Sequence, residues 1–307
     1  MNTAINTIKL RKTFFWNLLA IGSGLSLLIQ LGCSRSNDRE ELKEIVIALE
    51  PDRDPESIML DSGRLQTFLE SETGIPVRIT VPLSSAVLRE GFRNGTVDIG
   101  YINSTAAVRL GDAIDVLVAT LIDGRPYYES YWLALKDSSY TSVMDLRGKP
   151  ICFSSRTSTS GFIMPVAGLL KKGLLQPGGH PEDFFGAGNV FYGIGYVSAV
   201  ERVLDGSVAA AAVSYYVFEQ DRHLSAEQRN QLKIVDRQGP VPTHVLAIRS
   251  SLPKETIHLL RAALLAFDKK EPETAKRLFG APLVEVDAVN HLTPTVEALQ
   301  AIETLRF

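Results

Sequence analysis

The chain has 307 residues, 45% hydrophobic and 22% charged, which excludes a wholly disordered or fibrous protein and leaves room for two α/β domains. With 32 basic against 35 acidic residues, the formal charge is −3, so there is no basic footprint for a nucleic-acid partner. Two cysteines, Cys33 and Cys152, exclude a disulfide scaffold and a cysteine-rich metal site.

Lys9, Arg11 and Lys12 form a basic start, and an apolar stretch follows over 14–31. This is the layout of an export signal. Asn17, Gly22, Ser23, Gly24, Ser26 and Gln30 dilute the run below what a spanning helix needs. Leu31-Gly32-Cys33-Ser34 then resembles the lipobox of bacterial lipoproteins. In that motif the chain is cut before the cysteine, and the cysteine carries lipid. Gln30 stands where the motif prefers leucine. Ordinary cleavage and an uncleaved anchor are the alternatives. Residues 1–32 are thus read as a lipoprotein-type signal, Cys33 as the lipidation site and 33–43 as a polar tether.

The body alternates strand and helix signals. Residues 45–49 (IVIAL) fit a buried parallel strand. Apolar spacing over 56–71 predicts a helix, and 77–81 a second strand. Ser84 and Ser85 open a helix that stops at Gly95. A third strand is predicted at 97–102, a helix from Asn103, Ser104 and Thr105, and a strand at 116–122. Residues 128–136 read as an extended crossing into a second unit. That unit holds strands at 151–153, 190–194, 208–213 and 233–235, with helices at about 160–172 and at 198–204. Gly239-Pro240-Val241-Pro242 marks a break before a return strand at 244–248 and closing helices. The order predicts an α/β fold with mostly parallel sheets. Cys152 falls in an apolar strand and reads as a core residue.

Six hydroxyls occupy seven positions at Ser154-Ser155-Arg156-Thr157-Ser158-Thr159-Ser160, between a strand and an apolar helix. A helix start has unpaired N–H groups and a positive dipole end. Hydroxyls beside them make a cradle for an anion without any formal charge. The bland alternative is a redundant N-cap in a polar loop. Hydroxyls recur at the starts after other strands, at Ser84-Ser85 and Ser104-Thr105, and Tyr101, Tyr127, Tyr128 and Tyr131 add aromatic surface. Open α/β sheets bind ligands at such strand ends.

Catalytic patterns are missing. The five histidines show no ligand spacing, there is no GxSxG elbow, and Gly148-Lys149 is followed by Pro150 rather than by Ser or Thr. No catalytic residue, metal site or cofactor is assigned.

Asp145-Leu146-Arg147-Gly148-Lys149, followed by Ser158-Thr159-Ser160-Gly161-Phe162 and Pro165, resembles the core motif of phosphonate-binding proteins. These are the substrate-binding components of phosphate, phosphite and phosphonate ABC transporters. Asp98 with its flanks and the segment 249–255 agree with that family. The resemblance implies a periplasmic-binding-protein-like fold of type II, with two α/β lobes joined by a two-segment hinge. Lobe 1 would be 44–127 plus 245–307, and lobe 2 134–236, with hinge crossings near 128–136 and 235–245. It implies a small oxyanion ligand in the cleft, ABC permease subunits as partners, and an extracytoplasmic place on a membrane through lipid on Cys33. It carries ligand roles to Ser158, Thr159, Ser160 and Tyr128. Tyr196 stands where the family has histidine, and a phenol can donate in its place. Ser104 and Tyr101 complete the expected set. Residues 208–217 contain no acid, and a buried ammonium without a carboxylate is costly. The expected ligand is therefore phosphate, phosphite or methylphosphonate. A sensor of the same fold and a binder of another small solute are the alternatives.

Overall fold

The computed structural model describes residues 43–49, 55–220 and 223–307, so the expected signal at 1–32, Cys33 and nearly all of the tether lie outside the described residues. The chain starts with β1 (Ile45–Leu49), α1 (Pro55–Thr73), β2 (Val77–Thr80), α2 (Ser85–Asn94), β3 (Ile99–Ile102), α3 (Ser104–Leu110) and β4 (Ile114–Thr120). It continues through β5 (Tyr127–Leu135), β6 (Ile151–Phe153) and a wide π-helical turn at Thr159–Ile163 that runs into α4 (Met164–Lys171). Then come α5 (Glu182–Phe185), β7 (Val190–Tyr192), α6 (Tyr196–Leu204), β8 (Ala210–Ser214), α7 (Tyr215–Glu219), α8 (Ala226–Asn230) and β9 (Leu232–Pro242). It closes with β10 (Val245–Arg249), α9 (Lys254–Lys270), α10 (Pro272–Phe279), β11 (Leu283–Val284) and α11 (Ala288–Ile302). Among the described residues, no helix is long and apolar enough to cross a membrane.

The strands form two sheets, β11-β4-β10-β3-β1-β2 and β7-β6-β8-β5-β9. Each is built on three parallel strands, β2-β1-β3 in one and β7-β6-β8 in the other. Each adds, antiparallel beside them, the strand by which the chain arrives from the other sheet. That strand is β10 in the first sheet and β5 in the second. The hydrophobic run of β1 is buried along its whole length, as a strand covered on both faces must be. Local signals set the helix ends. Ser84 accepts the Val87 N–H to open α2, and Gly95 closes it in the left-handed conformation that the sequence reserves for glycine.

Asp98 ties three strands together in the first sheet. Its Oδ2 accepts the Val46 N–H at 2.9 Å, and its Oδ1 accepts Arg249 Nη2 at 2.6 Å and Nε at 3.1 Å. Its own N–H and C=O pair with Val46 and Arg249 backbones. The carboxylate is thus almost completely buried but fully partnered, which is the condition for a charge to sit there.

Three expectations are corrected. First, 128–136 is not a crossing. β5 pairs along its length with β9 and β8, so the chain passes between sheets at 121–126 and again at 243–244. Second, the predicted break at 239–242 lies inside β9, which is eleven residues long. β9 is an edge strand, and there Pro240 and Pro242 remove no ladder bond that the sheet needs. Third, 245–307 does not belong to one lobe. Leu246, Leu260, Phe267 and Phe279 pack in the core of the first sheet, but Ala298, Ile302 and Leu305 pack in that of the second. The helix α11 returns to the second lobe because its apolar face fits against α4 and β9.

The two crossings are stitched to each other. The Thr243 hydroxyl donates to the Thr120 carbonyl at 2.7 Å, and the Thr243 N–H to Pro126 at 3.1 Å. The Thr120 N–H donates to the His244 carbonyl at 3.1 Å. His291 of α11 adds a contact, with Nε2 at 3.2 Å from the Thr243 carbonyl, so that nitrogen carries the proton. Its Nδ1 is buried without a partner. Burial holds this imidazole below its ordinary value near 6.5, against the smaller opposing pull of the Thr243 carbonyl. A depressed folded pKa means that the unfolded chain binds the proton more readily. The contribution of His291 to stability is therefore complete above about pH 6.5 and shrinks as the pH falls toward the lower folded value. Denaturant titrations at pH 7.5 and 5.5 should show a loss for the parent chain that is smaller in His291→Gln. Equal losses in both would show that another group governs the slope.

Candidate functional site

Ser154 to Ser160 follow β6 and lead into the wide turn at Thr159–Ile163. Ser158 is the N-cap, its Oγ accepting the Gly161 N–H at 2.9 Å. The Ser158 carbonyl accepts the Ile163 N–H at 3.0 Å and the Thr159 carbonyl that of Met164, five residues on in each case. Such wide turns are rare and recur at functional positions. Ser154 folds back, its hydroxyl donating to the Ala212 carbonyl. Pro165 enters α4 in the first turn, where no N–H is required of it.

Gly161 has a different reason to be glycine from a close approach to ligand. A methyl group there would sit 2.4 Å from Ser154 Oγ, 2.5 Å from Ser154 Cβ and 2.9 Å from Ser158 Oγ. The residue makes room for the two serines that shape the turn.

The turn is held from beneath. Ser130 of β5 donates its hydroxyl to the Ser160 carbonyl, and Gln238 Nε2 of β9 donates to Ser130 Oγ at 2.6 Å. On the open side, Tyr196 at the start of α6 places its hydroxyl 2.9 Å from Ser160 Oγ and 3.2 Å from Ser158 Oγ. Tyr128 lies against the hydroxyls of Ser160 and Ser214. Burial pushes its phenol far up, and nearby Tyr196 adds to that, while the contacts with Ser160 and Ser214 pull the other way. Tyr128 is therefore a neutral O–H group at any physiological pH. Four expected residues, Ser158, Ser160, Tyr196 and Tyr128, are thus brought together. No lysine or arginine figures among the groups acting on Tyr128.

The other three expected residues are placed differently. Thr159 Oγ1 is 2.8 Å from Thr105 Oγ1 and 3.3 Å from Ser104 Oγ, both in α3 of the first lobe. Thr159 and Ser104 therefore meet each other across the two lobes. Tyr101 donates its hydroxyl to the Phe279 carbonyl at 2.7 Å. Its ring lines a chamber between the two sheets with Tyr128, Tyr215, Tyr216, His244 and Phe279. No aspartate, glutamate, lysine or arginine is among the described residues lining it. The Arg156 guanidinium stacks 4.0 Å above the Tyr192 ring. Cys152 is fully buried in β6, and burial pushes its thiol up to about 11, so it is a core residue and no nucleophile.

Sequence reasoning missed Ser130, Ser214, Gln238 and Thr295, and it gives Thr105 only as a hydroxyl at the start of a helix. Ser214 ends β8 opposite Ser130 and is fully buried, and its hydroxyl has no hydrogen-bond partner among the described residues. Only its position at a strand end, beside Tyr215, marked it beforehand.

Comparison with known proteins fits this geometry. A sequence model of the family described as ABC transporter, phosphonate, periplasmic substrate-binding protein matches residues 47–291. The phosphate-import protein PhnD of Mycolicibacterium smegmatis is 26% identical over 256 residues, 79% of either chain. XAC2383 from Xanthomonas citri bound to ATP has a similar fold, with a TM-score of 0.71 at 20% identity over 85% of this chain and 99% of that one. PhnD1 from Prochlorococcus marinus in complex with methylphosphonate gives a TM-score of 0.71 at 16% identity, again over 85% and 99%.

The Gly161→Ala substitution should destabilise the protein by about 1–3 kcal/mol, because the added methyl overpacks a filled site. Gly63→Ala in α1, where a methyl meets open space, should be neutral or stabilising by up to about 1 kcal/mol. Denaturation midpoints of the two variants measure the contrast. Equal midpoints would mean that Ser154 yields without cost.

Proposed function

The chain belongs to the family of periplasmic substrate-binding proteins of phosphonate ABC transporters, and we propose that it captures a small phosphorus oxyanion with no cationic tail: phosphate, phosphite or methylphosphonate. The observation that carries this reading is the convergence of the Ser158, Ser160, Tyr196 and Tyr128 hydroxyls at a buried helix mouth. Each of them can turn a proton toward an oxyanion, and the opening N–H groups of the helix lack acceptors within it. The likeness to a phosphate-import protein and to a methylphosphonate complex supports the same class.

The missing tail follows from charge. An ammonium needs a carboxylate when it is buried. The chamber beside Tyr128 has none among its described lining residues, and Glu219, just past β8, lies 3.2 Å from the Tyr131 hydroxyl as its hydrogen-bond acceptor. Thr159, Ser104 and Tyr101 stay in the proposed ligand set as residues bordering the cleft. Lobes close over the anion by movement at 121–126 and 243–244. The closed form is then handed to ABC permease subunits at the membrane, to which lipid on Cys33 anchors the protein.

Calorimetric titration of the purified full chain, freed of ligand, tests the class with phosphate, phosphite, methylphosphonate, 2-aminoethylphosphonate and sulfate. Saturable binding of one of the first three is expected. Preferential binding of 2-aminoethylphosphonate would overturn the charge assignment, and binding of none would overturn the class. Ser158→Ala and Tyr196→Phe should each weaken binding by about 1–3 kcal/mol. Cell fractionation tests the anchor: Cys33→Ser should move the protein from the membrane to the soluble fraction, and an unchanged distribution would reject lipidation there.

A further inference from the structure

The hydroxyl of Thr159 is where the two lobes meet. It receives the Thr105 N–H at 3.2 Å and the Ser104 hydroxyl at 3.3 Å, and lies 2.8 Å from the Thr105 hydroxyl. A hydroxyl oxygen accepts two hydrogen bonds and donates one. The amide and Ser104 fill the two acceptor positions, so the Thr159 proton goes to Thr105 Oγ1. Ser104 is fixed as a donor from behind, because its oxygen accepts the hydroxyl of Thr295 in α11 at 2.9 Å. The protons thus run from Thr295 through Ser104 and Thr159 to Thr105. All four side chains are buried, with relative exposures of 0%, 1%, 2% and 1% in that order. While the lobes are in contact, none of them can turn to water.

The α3 helix does not need these hydroxyls for itself. Asn103 is its N-cap and accepts the Ala106 N–H at 2.8 Å. Ser104 and Thr105 are therefore available to reach across to the other lobe. On the far side, Thr159 is the first residue of the turn whose next residue, Ser160, touches Tyr196 and Tyr128. The Thr105 contact acts on the turn at its opening residue.

We infer that Thr105 is a positioning residue. From the first lobe it fixes the rotamer of Thr159, so that contact between the lobes and ordering of the anion-facing turn are one cooperative event. The link to ligand rests on the proposed function; the link between the lobes does not. Hydrogen bonds in such a buried chain strengthen one another, and pairwise substitution is the way to apportion them.

Amide hydrogen exchange of the ligand-free full chain tests the coupling. Thr105→Val keeps the shape and the amide but removes the hydroxyl. Exchange at 159–163 should rise about tenfold in Thr105→Val, and exchange at 104–107 should rise similarly in Thr159→Val. The double variant should exchange no faster than either single variant, and Thr105→Ser should restore the parent rates. Changes confined to the substituted helix, or effects that multiply in the double variant, would overturn the inference. Stopped-flow binding of methylphosphonate supplies the second readout. Thr105→Val should raise the dissociation rate about tenfold and leave association within about twofold. A change in association alone would count against the positioning role. Should neither methylphosphonate nor phosphate bind the parent chain, the proposed ligand class falls, and the exchange data still decide the coupling.

Discussion

Ser160 has no exposed surface, yet it carries a carbonyl and a hydroxyl at the mouth of a helix. A polar group buried without a partner costs on the order of several kcal/mol, so the turn at 159–163 exists only where other elements deliver partners. β5 delivers Ser130 for the carbonyl, β9 delivers Gln238 to hold Ser130, and α6 delivers Tyr196 for the hydroxyl. These elements are separated in sequence by up to 108 residues and are joined by one buried requirement. The position of β5 between β8 and β9 is what makes it possible, because an interior strand can support the turn from below.

The same strand explains how the lobes are connected. Each sheet completes itself with the strand arriving from the other one, antiparallel to three parallel neighbours. The crossings must then run side by side, and Thr243 closes the gap between them with bonds to Thr120 and Pro126. Two short, bonded segments join the lobes, and neither belongs to a ladder of either sheet. α11 spans the arrangement differently. It packs on the second core through Ala298 and Ile302 while His291 touches the Thr243 carbonyl and Thr295 reaches Ser104. One helix therefore senses the crossings, the first-lobe helix start and the second-lobe core.

Much of this was legible in the amino-acid sequence wherever the cause is local. Ser84 and Gly95 bracket α2 because capping depends on residues a few positions apart. The run of hydroxyls before an apolar helix identified the wide turn for the same reason. What was not legible depends on partners far along the chain. Strand β9 was underestimated because Pro240 and Pro242 read as breakers, and only its edge position in the sheet makes them acceptable. Arg156 sits inside the hydroxyl run, and the Tyr192 ring on which it stacks lies in a strand thirty-six residues later. Ser130 and Gln238 carry no local mark, since a serine in a strand and a glutamine near a proline are ordinary until the sheet places both under Ser160.

A cradle of hydroxyls also explains how a buried site can be stable with and without an anion. A lysine or arginine there would be a buried charge in need of a permanent partner. Hydroxyls accept as well as donate, so Ser158, Ser160 and Tyr196 satisfy one another when they have only each other. For the oxyanion proposed above, the same protons would re-aim toward the ligand, one set of hydrogen bonds being exchanged for another. The net gain per bond is modest, about 1 kcal/mol, because the bonds given up are nearly as good. Selection then comes from how many protons reach the ligand at once and from the uncharged walls around it. Burial keeps the Tyr128 phenol a neutral donor. On the function proposed above, such a cradle would hold its anion through the geometry of neutral donors rather than through a countercharge.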